Sequence, residues 1–288
     1  MVETLKTLRR RIDTIKNTKQ ITRAMQMVAA AKFRRSDAAY QSGSPYSSGI
    51  SQMMKRLLAS VPSPPHPAFH KREVRNVLLV VMTTDRGLCG SFNTTLIKTA
   101  ENFIKNRANV SIDLYCIGKK GYSYFNRHGY TIIDRIVDLG GRVDGNIAYK
   151  VATNLEEYFL TGRYDQIVFL YSHFITKATN TPRLEEFLPL TKNKDKPETE
   201  NVRGIEYIFE PTVRDVFDAI VPRYLVSKLY ITMAEHFTCE HGARMIAMTN
   251  ASRNCDELVD SLTLKLNKAR QAAITKELLD IVGGVEAM

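Results

Sequence analysis

The chain has 288 residues, 44% hydrophobic and 25% charged, the composition of one or two ordinary globular domains. Its net charge of +11 is concentrated at one end: residues 1–58 hold twelve Lys and Arg against three Asp and Glu, while 212–288 are close to balance. No run approaches the ~18 apolar residues of a membrane span, and no apolar leader follows the charged start MVETLKTLRRR, so a cytosolic compartment is expected.

From Glu3 to Ser42 there is neither Pro nor Gly. A helix over that stretch would reach roughly 60 Å. Leu5, Leu8, Ile12 and Ile15 step by 3, 4 and 3, which is a coiled-coil seam. Beyond Ile15 the spacing loosens to Ile21, Met25 and Val28, joined by the small Ala29, Ala30 and Ala31. SGSPYSSG, residues 42–49, is expected to bend or interrupt the helix, which resumes over 50–59. The Pro-rich 61–70 reads as a linker.

An α/β pattern follows. VLLVVMTTD (77–85) suits a strand buried on both faces. Helices are predicted at 92–108 and 146–161, and strands at 110–118, 164–175 and 205–211, with a helical turn starting near Gly121. Strands alternating with helices predict a largely parallel sheet.

The last segment is a single long helix in prospect. No Pro follows Pro222, and Gly242 is the one Gly before Gly283. Sixty helical residues would span roughly 90 Å, longer than a domain of this size. Cys255, Val259, Leu262, Leu266, Ala269 and Ala273 step by 4, 3, 4, 3 and 4. A second stripe, Ile274, Leu278, Ile281 and Val285, is displaced around the axis, so the tip is apolar on more than one side and needs enclosure. The expected fold is α/β with long helices. An antiparallel coiled coil of N- and C-terminal helices (1–59 and 212–286) carries an inserted Rossmann-like α/β domain (73–211).

Local chemistry is sparse. TTDRGLCG (83–90) follows the first strand, where an α/β fold could hold phosphate. Its glycines match neither dinucleotide nor P-loop spacing, and a tight strand-to-helix turn is the simpler reading. Cys89, Cys116, Cys239 and Cys255 include no C-x-x-C pair, so free thiols are expected. The six histidines form no ligand set with neighbouring Cys or carboxylates. No catalytic, cofactor or metal site is therefore predicted. The basic N-terminal helix calls for a negative neighbour. Nucleic acid is one option, although no aromatic precedes Phe33 to stack on bases; an acidic protein loop is another.

Three motifs in order, IKNTKQITRAMQMVAAAKFRR (15–35), TTDRGLCGSFN (83–93) and ARMIAMTNAS with LNKARQAAITKELLDIVGG (243–252, 266–284), closely resemble the γ-subunit family of F-type ATP synthases. The resemblance implies a non-catalytic rotor shaft, one copy per complex, turning inside a hexamer of α and β subunits. It implies ε and the membrane c-ring as further partners, ion-driven ATP synthesis as the activity of the whole, and no nucleic acid. It places the chain peripherally on the cytoplasmic face of a bacterial membrane. Matched position by position, Met25, Arg244, Arg270, Gln271 and Thr275 would meet β subunits, and Tyr207, Phe209 and Glu210 would form the foot against the c-ring. Gly242, where the family more often has Ala, could soften the helix by up to roughly 1 kcal/mol.

Overall fold

The computed structural model describes residues 4–61, 63–176, 179–190 and 209–286, with backbone alone at 277 and 280–286. Contacts divide the chain into two units, Ala30–Ala243 and the paired segments Met1–Ala29 and Arg244–Met288. The division falls inside the two longest helices, α1 (Leu5–Ser60) and α5 (Val213–Glu286), so each helix contributes to both units.

In chain order the larger unit holds β1 (Asn76–Met82), α2 (Phe92–Lys105), β2 (Ser111–Ile117), α3 (Lys119–Arg127), β3 (Ile132–Ile136), α4 (Gly145–Leu160), β4 (Gln166–Phe174) and β5 (Asn180–Leu188). The strands lie in the order β3-β2-β1-β4-β5. The first four are parallel, and β5 closes one edge antiparallel to β4. β1 sits centrally with both faces covered, which is why its sequence is apolar without alternation.

Leu78, Val80 and Met82 face one core with α4 and the domain's parts of α1 and α5; Val77, Leu79 and Val81 face a second core with α2 and α3. On the first face α5 lays down Phe217, Val221, Leu225, Leu229, Met233 and Phe237, every fourth residue, each at most 2% exposed. An every-fourth row is a ridge inclined to the helix axis, and it nests against the sheet and α4 as one line. Lys228 ties the same helix to the edge strand: its ammonium donates to Glu186 O at 2.9 Å and pairs with Glu185 Oε1 at 3.2 Å.

Three sequence expectations change. α1 is not interrupted at SGSPYSSG but runs through Pro45. Proline inside a helix, by removing one hydrogen bond and crowding the preceding turn, costs about 3 kcal/mol. Burial of Ile50, Met54, Leu57 and Leu58 just beyond returns roughly 1.5–3 kcal/mol each, so continuity wins. Gly43 adds a reason of its own, because a Cβ there would meet Tyr230 Cε1 of α5 at 3.1 Å. The expected strand at 205–211 lies outside the described residues up to 208, and its end, Phe209–Pro211, is irregular. Two strands, β3 and β5, had no counterpart in the sequence reading. β3 has only five residues, and β5 carries Arg183, Glu185 and Glu186 because it lies at an edge.

Phe169 is fully buried and stacks on Phe187 at 4.2 Å across the β4–β5 pair. Phe169→Ala is expected to destabilise the α/β unit by about 3–5 kcal/mol in chemical denaturation, while far-UV helicity at room temperature changes little.

Candidate functional site

The smaller unit is a helix pair. On α1 the covered positions are Leu5, Leu8, Ile12, Ile15, Lys19, Thr22, Met25, Gln26 and Ala29, with Leu8 at 2% exposure and Ile12 at 6%. Ile21 and Val28, to which the apolar spacing loosened beyond Ile15, are 60% and 58% exposed; the seam runs on through Lys19 and Thr22, whose 3-and-4 spacing continues that of Leu8 to Ile15. On α5, Cys255, Val259, Leu262, Leu266, Ala269 and Ala273 are the buried or half-buried stripe.

The ammonium of Lys19 pairs with the carboxylate of Asp256, which fixes the register of this antiparallel pair. With Lys19 beside Asp256, the seam of α1 from Ile15 back to Leu5 runs alongside that of α5 from Val259 onward. Arg270 and the residues after it form the C-terminal turns of α5. Apolar side chains accumulate there on the outside: Ile274 is 46% exposed, Leu278 58% and Leu279 65%. Leu258 and Leu264 are exposed as well, at 52% and 65%. Lys6, Arg9, Arg10, Lys16 and Arg23 stand on the exposed side of α1.

Met25 and Arg244 belong to this helix pair and are half-buried. Arg270, Gln271 and Thr275 are exposed near its far end, and the Thr275 hydroxyl donates to Gln271 O at 3.0 Å, one turn back. Phe209 and Glu210 belong to the α/β unit. Phe209 packs against the first core, Glu210 is exposed, and Tyr207 lies outside the described residues.

The other place to look for chemistry is the loop 83–90, at the carboxyl end of β1, where neighbours on either side come from different halves of the sheet. Its polar groups are already engaged. The Thr83 hydroxyl accepts from Gly121 N at 2.9 Å, and Asn93 Oδ1 accepts from Thr84 N at 3.0 Å. Asp85 accepts backbone N–H groups of Lys119, Asp138 and Gly140 at 3.1, 3.0 and 2.9 Å. Gly118 is required by packing: it has φ +98°, and a Cβ there would lie 2.1 Å from Thr83 O. The loop is a tight turn clamped from within, with Leu88 and Gly90 at φ near +60°.

From above, α5 fills the crevice. Ser172 N donates to His236 Nδ1 at 3.2 Å, and Glu235 accepts from Phe174 N at 3.0 Å and pairs with His173 at 2.6 Å. Burial raises the Glu235 carboxyl above the ordinary carboxylate range despite those two donors. Burial also pushes the Cys116 and Cys239 thiols up to about 12, so both stay protonated and unreactive. None of this internal network was readable from spacing, because its members come from β1, β3, β4 and α5. Among the described residues no cluster of His, Cys, Asp and Glu could hold a metal ion, and no helix is long and apolar enough to cross a membrane.

Known proteins decide what the helix pair belongs to. The family described as ATP synthase matches residues 4–288. The ATP synthase gamma chain of Syntrophus aciditrophicus is 38% identical over 99% of this chain and 98% of its own length. That of Aquifex aeolicus is 39% identical over 98% of this chain and 96% of its own. The chain belongs to the ATP synthase gamma-chain family. Its fold is shared with a chain of the Euglena gracilis mitochondrial ATP synthase (OSCP/F1/c-ring), at 19% identity and TM-score 0.66, covering 99% of this chain and 94% of that one. A chain from the Tetrahymena thermophila mitochondrial ATP synthase central stalk and c-ring gives TM-score 0.63 at 24% identity, over 81% of this chain and 99% of that one. The relatives named are ATP synthase gamma chains, and the solved chains share the fold of this one.

Burial holds the fully enclosed His236 imidazole down to about 3, below its ordinary 6.5. The unfolded chain therefore takes up a proton that the folded chain refuses between those values. Its contribution to stability is complete above pH ~6.5 and declines as pH falls toward ~3. Urea midpoints should fall between pH 7.5 and 5, and His236→Gln should flatten that fall.

Proposed function

We propose that the helix pair turns inside a ring of α and β subunits while the α/β unit engages ε and the membrane c-ring. Rotation driven by ion flow would then be converted into ATP synthesis at β-subunit sites, and hydrolysis would drive the reverse. The observation that carries this reading is the outward apolar surface of α5, from Leu258 and Leu264 to Ile274, Leu278 and Leu279. Exposed apolar side chains of that kind call for enclosure by another protein. A nucleic acid would satisfy the cations of α1 but would leave these leucines in water.

The chemistry required of the chain is differential contact. A shaft with cations on one helix and an apolar tip on the other presents a different face to each surrounding β subunit. Equal subunits meeting unequal faces are held in unequal conformations, because a contact shifts an equilibrium only by its difference in free energy between states. Turning the shaft passes the states around the ring. Apolar contact suits a bearing, since it is non-directional and favours no single angle.

In this arrangement Met25, Arg244, Arg270, Gln271 and Thr275 meet β subunits, with the exposed Arg270 guanidinium directed to a carboxylate or carbonyl. Tyr207, Phe209 and Glu210 form the foot on the c-ring. The complex then holds the chain peripherally at the cytoplasmic face of a bacterial membrane, with one copy in each complex.

The test mixes this chain with matching α and β subunits and MgATP. Hydrolysis is expected to rise steeply, with co-elution of one copy for every three β subunits; folded α and β subunits that ignore the chain would refute the proposal. Leu264→Asp is expected to weaken the association by roughly tenfold or more, because an enclosed leucine is worth about 1.5–3 kcal/mol. The isolated chain should keep its helicity, since Leu264 is exposed in it.

A further inference from the structure

A rotor must pass torque between its α/β unit and the helices that leave it. Apolar burial holds these together strongly but without direction, so it resists separation better than it resists sliding or twisting. Directional bonds supply that restraint: α5 makes them to the sheet through Lys228, Glu235 and His236, and one further place engages α1 and α5 together on a rigid piece of backbone. That place is the turn after β3.

Asp138, Gly140 and Gly141 all adopt left-handed backbone, with φ of 63°, 61° and 71°. Such a run is costly for an isolated chain and persists where its surroundings dictate it. Asp85, from the loop after β1, grips the turn from below through the N–H groups of Asp138 and Gly140 at 3.0 and 2.9 Å. With its amides engaged in this way, the turn offers two carbonyls to the helices. Lys32 of α1 donates its ammonium to Gly140 O at 2.9 Å, and His241 of α5 meets Gly141 O through Nε2 at 3.0 Å. A carbonyl can only accept, so His241 Nε2 carries the proton.

The fit at this point leaves no slack. His241 is 1% exposed, and a Cβ at residue 141 would lie 2.5 Å from its ring. Lys32 and His241 come from opposite ends of the chain and meet on adjacent residues of one turn. Each also lies within three residues of the point where its helix passes out of the α/β unit, at Ala29 and at Arg244.

We propose that the Gly140–Gly141 turn is the torsional joint of the rotor, with Lys32 and His241 as the positioning residues that lock α1 and α5 to the α/β unit. The proposal rests on the rotor reading above. Both locking bonds lie inside the α/β unit and neither uses a β-contact residue (Met25, Arg244, Arg270, Gln271 or Thr275). Their loss should therefore leave the ring contacts intact while letting the foot turn without fully turning the shaft.

The experiment uses the whole complex in sealed vesicles, carrying wild type, Lys32→Met, Lys32→Arg, or Lys32→Met with His241→Leu. Two quantities are read: ATP hydrolysis, and ATP-driven ion uptake as the opposing gradient is raised. Lys32→Met should hydrolyse as wild type but take up roughly half as many ions per ATP at high gradient. The double variant should lose more, since removing each hydrogen bond weakens the closed joint by up to roughly tenfold. Lys32→Arg keeps a donor and should restore coupling. A Lys32→Met ratio equal to wild type at every gradient would overturn the joint, as would a loss independent of gradient that arginine does not repair. Wild-type chain that fails to stimulate hydrolysis at all would instead refute the rotor reading beneath it.

Discussion

Much of this molecule depends on one helix obeying two packing rules. Between Phe217 and Phe237, α5 buries every fourth residue, and between Cys255 and Ala273 it alternates steps of four and three. The first pattern is an inclined ridge that suits the flat, twisted flank of a sheet. The second keeps a stripe facing one companion helix. A single uninterrupted helix thus belongs to a globular core at one end and to a coiled coil at the other. α1 does the same in reverse order, with Leu8 and Ile12 in the pair and Met54, Leu57 and Leu58 in the core. The two chain ends are therefore committed together, and the α/β domain has to be an insertion between them.

That arrangement also engages the groups at the end of the sheet where open α/β folds bind ligands. In open α/β sheets the carboxyl ends of the central strands are the usual binding crevice. Here Asp85 spends its carboxylate on three backbone amides, and His236, Glu235 and His241 of α5 close the crevice from above. The amides at that end of the sheet hold the turns after β1 and β3 together, and the polar groups of α5 are engaged on the same strands.

How much of this was legible depends on how local each signal was. β1 could be read because six consecutive buried residues need no partner to declare themselves. The α5 seam from Cys255 to Ala273 was equally plain, since its spacing lies within one helix. The α1 seam was legible only as far as Ile15, because it continues through Lys19 and Thr22, whose side chains do not look like core. The edge strand β5 was invisible for a related reason: Arg183, Glu185 and Glu186 suit an edge whose charges find Lys228 and Tyr171. Pro45 misled because its local cost is real, yet smaller than the burial on either side of it.

The sequence by itself determined two long helices, their apolar stripes, a mostly parallel sheet between them and the excess of cations at one end. These follow from periodicity and composition, which act over a few turns of chain. The motifs at 15–35, 83–93 and 266–284 also carried the family resemblance without any coordinates. Tertiary structure alone decided which way the polar groups would be spent: Asp85 on the β3 turn, Lys32 and His241 on adjacent glycine carbonyls, Lys19 on Asp256. Each of these joins residues far apart in the chain. Hydrogen bonds and ion pairs need ångström-scale geometry, and that geometry exists only once the apolar faces have been packed.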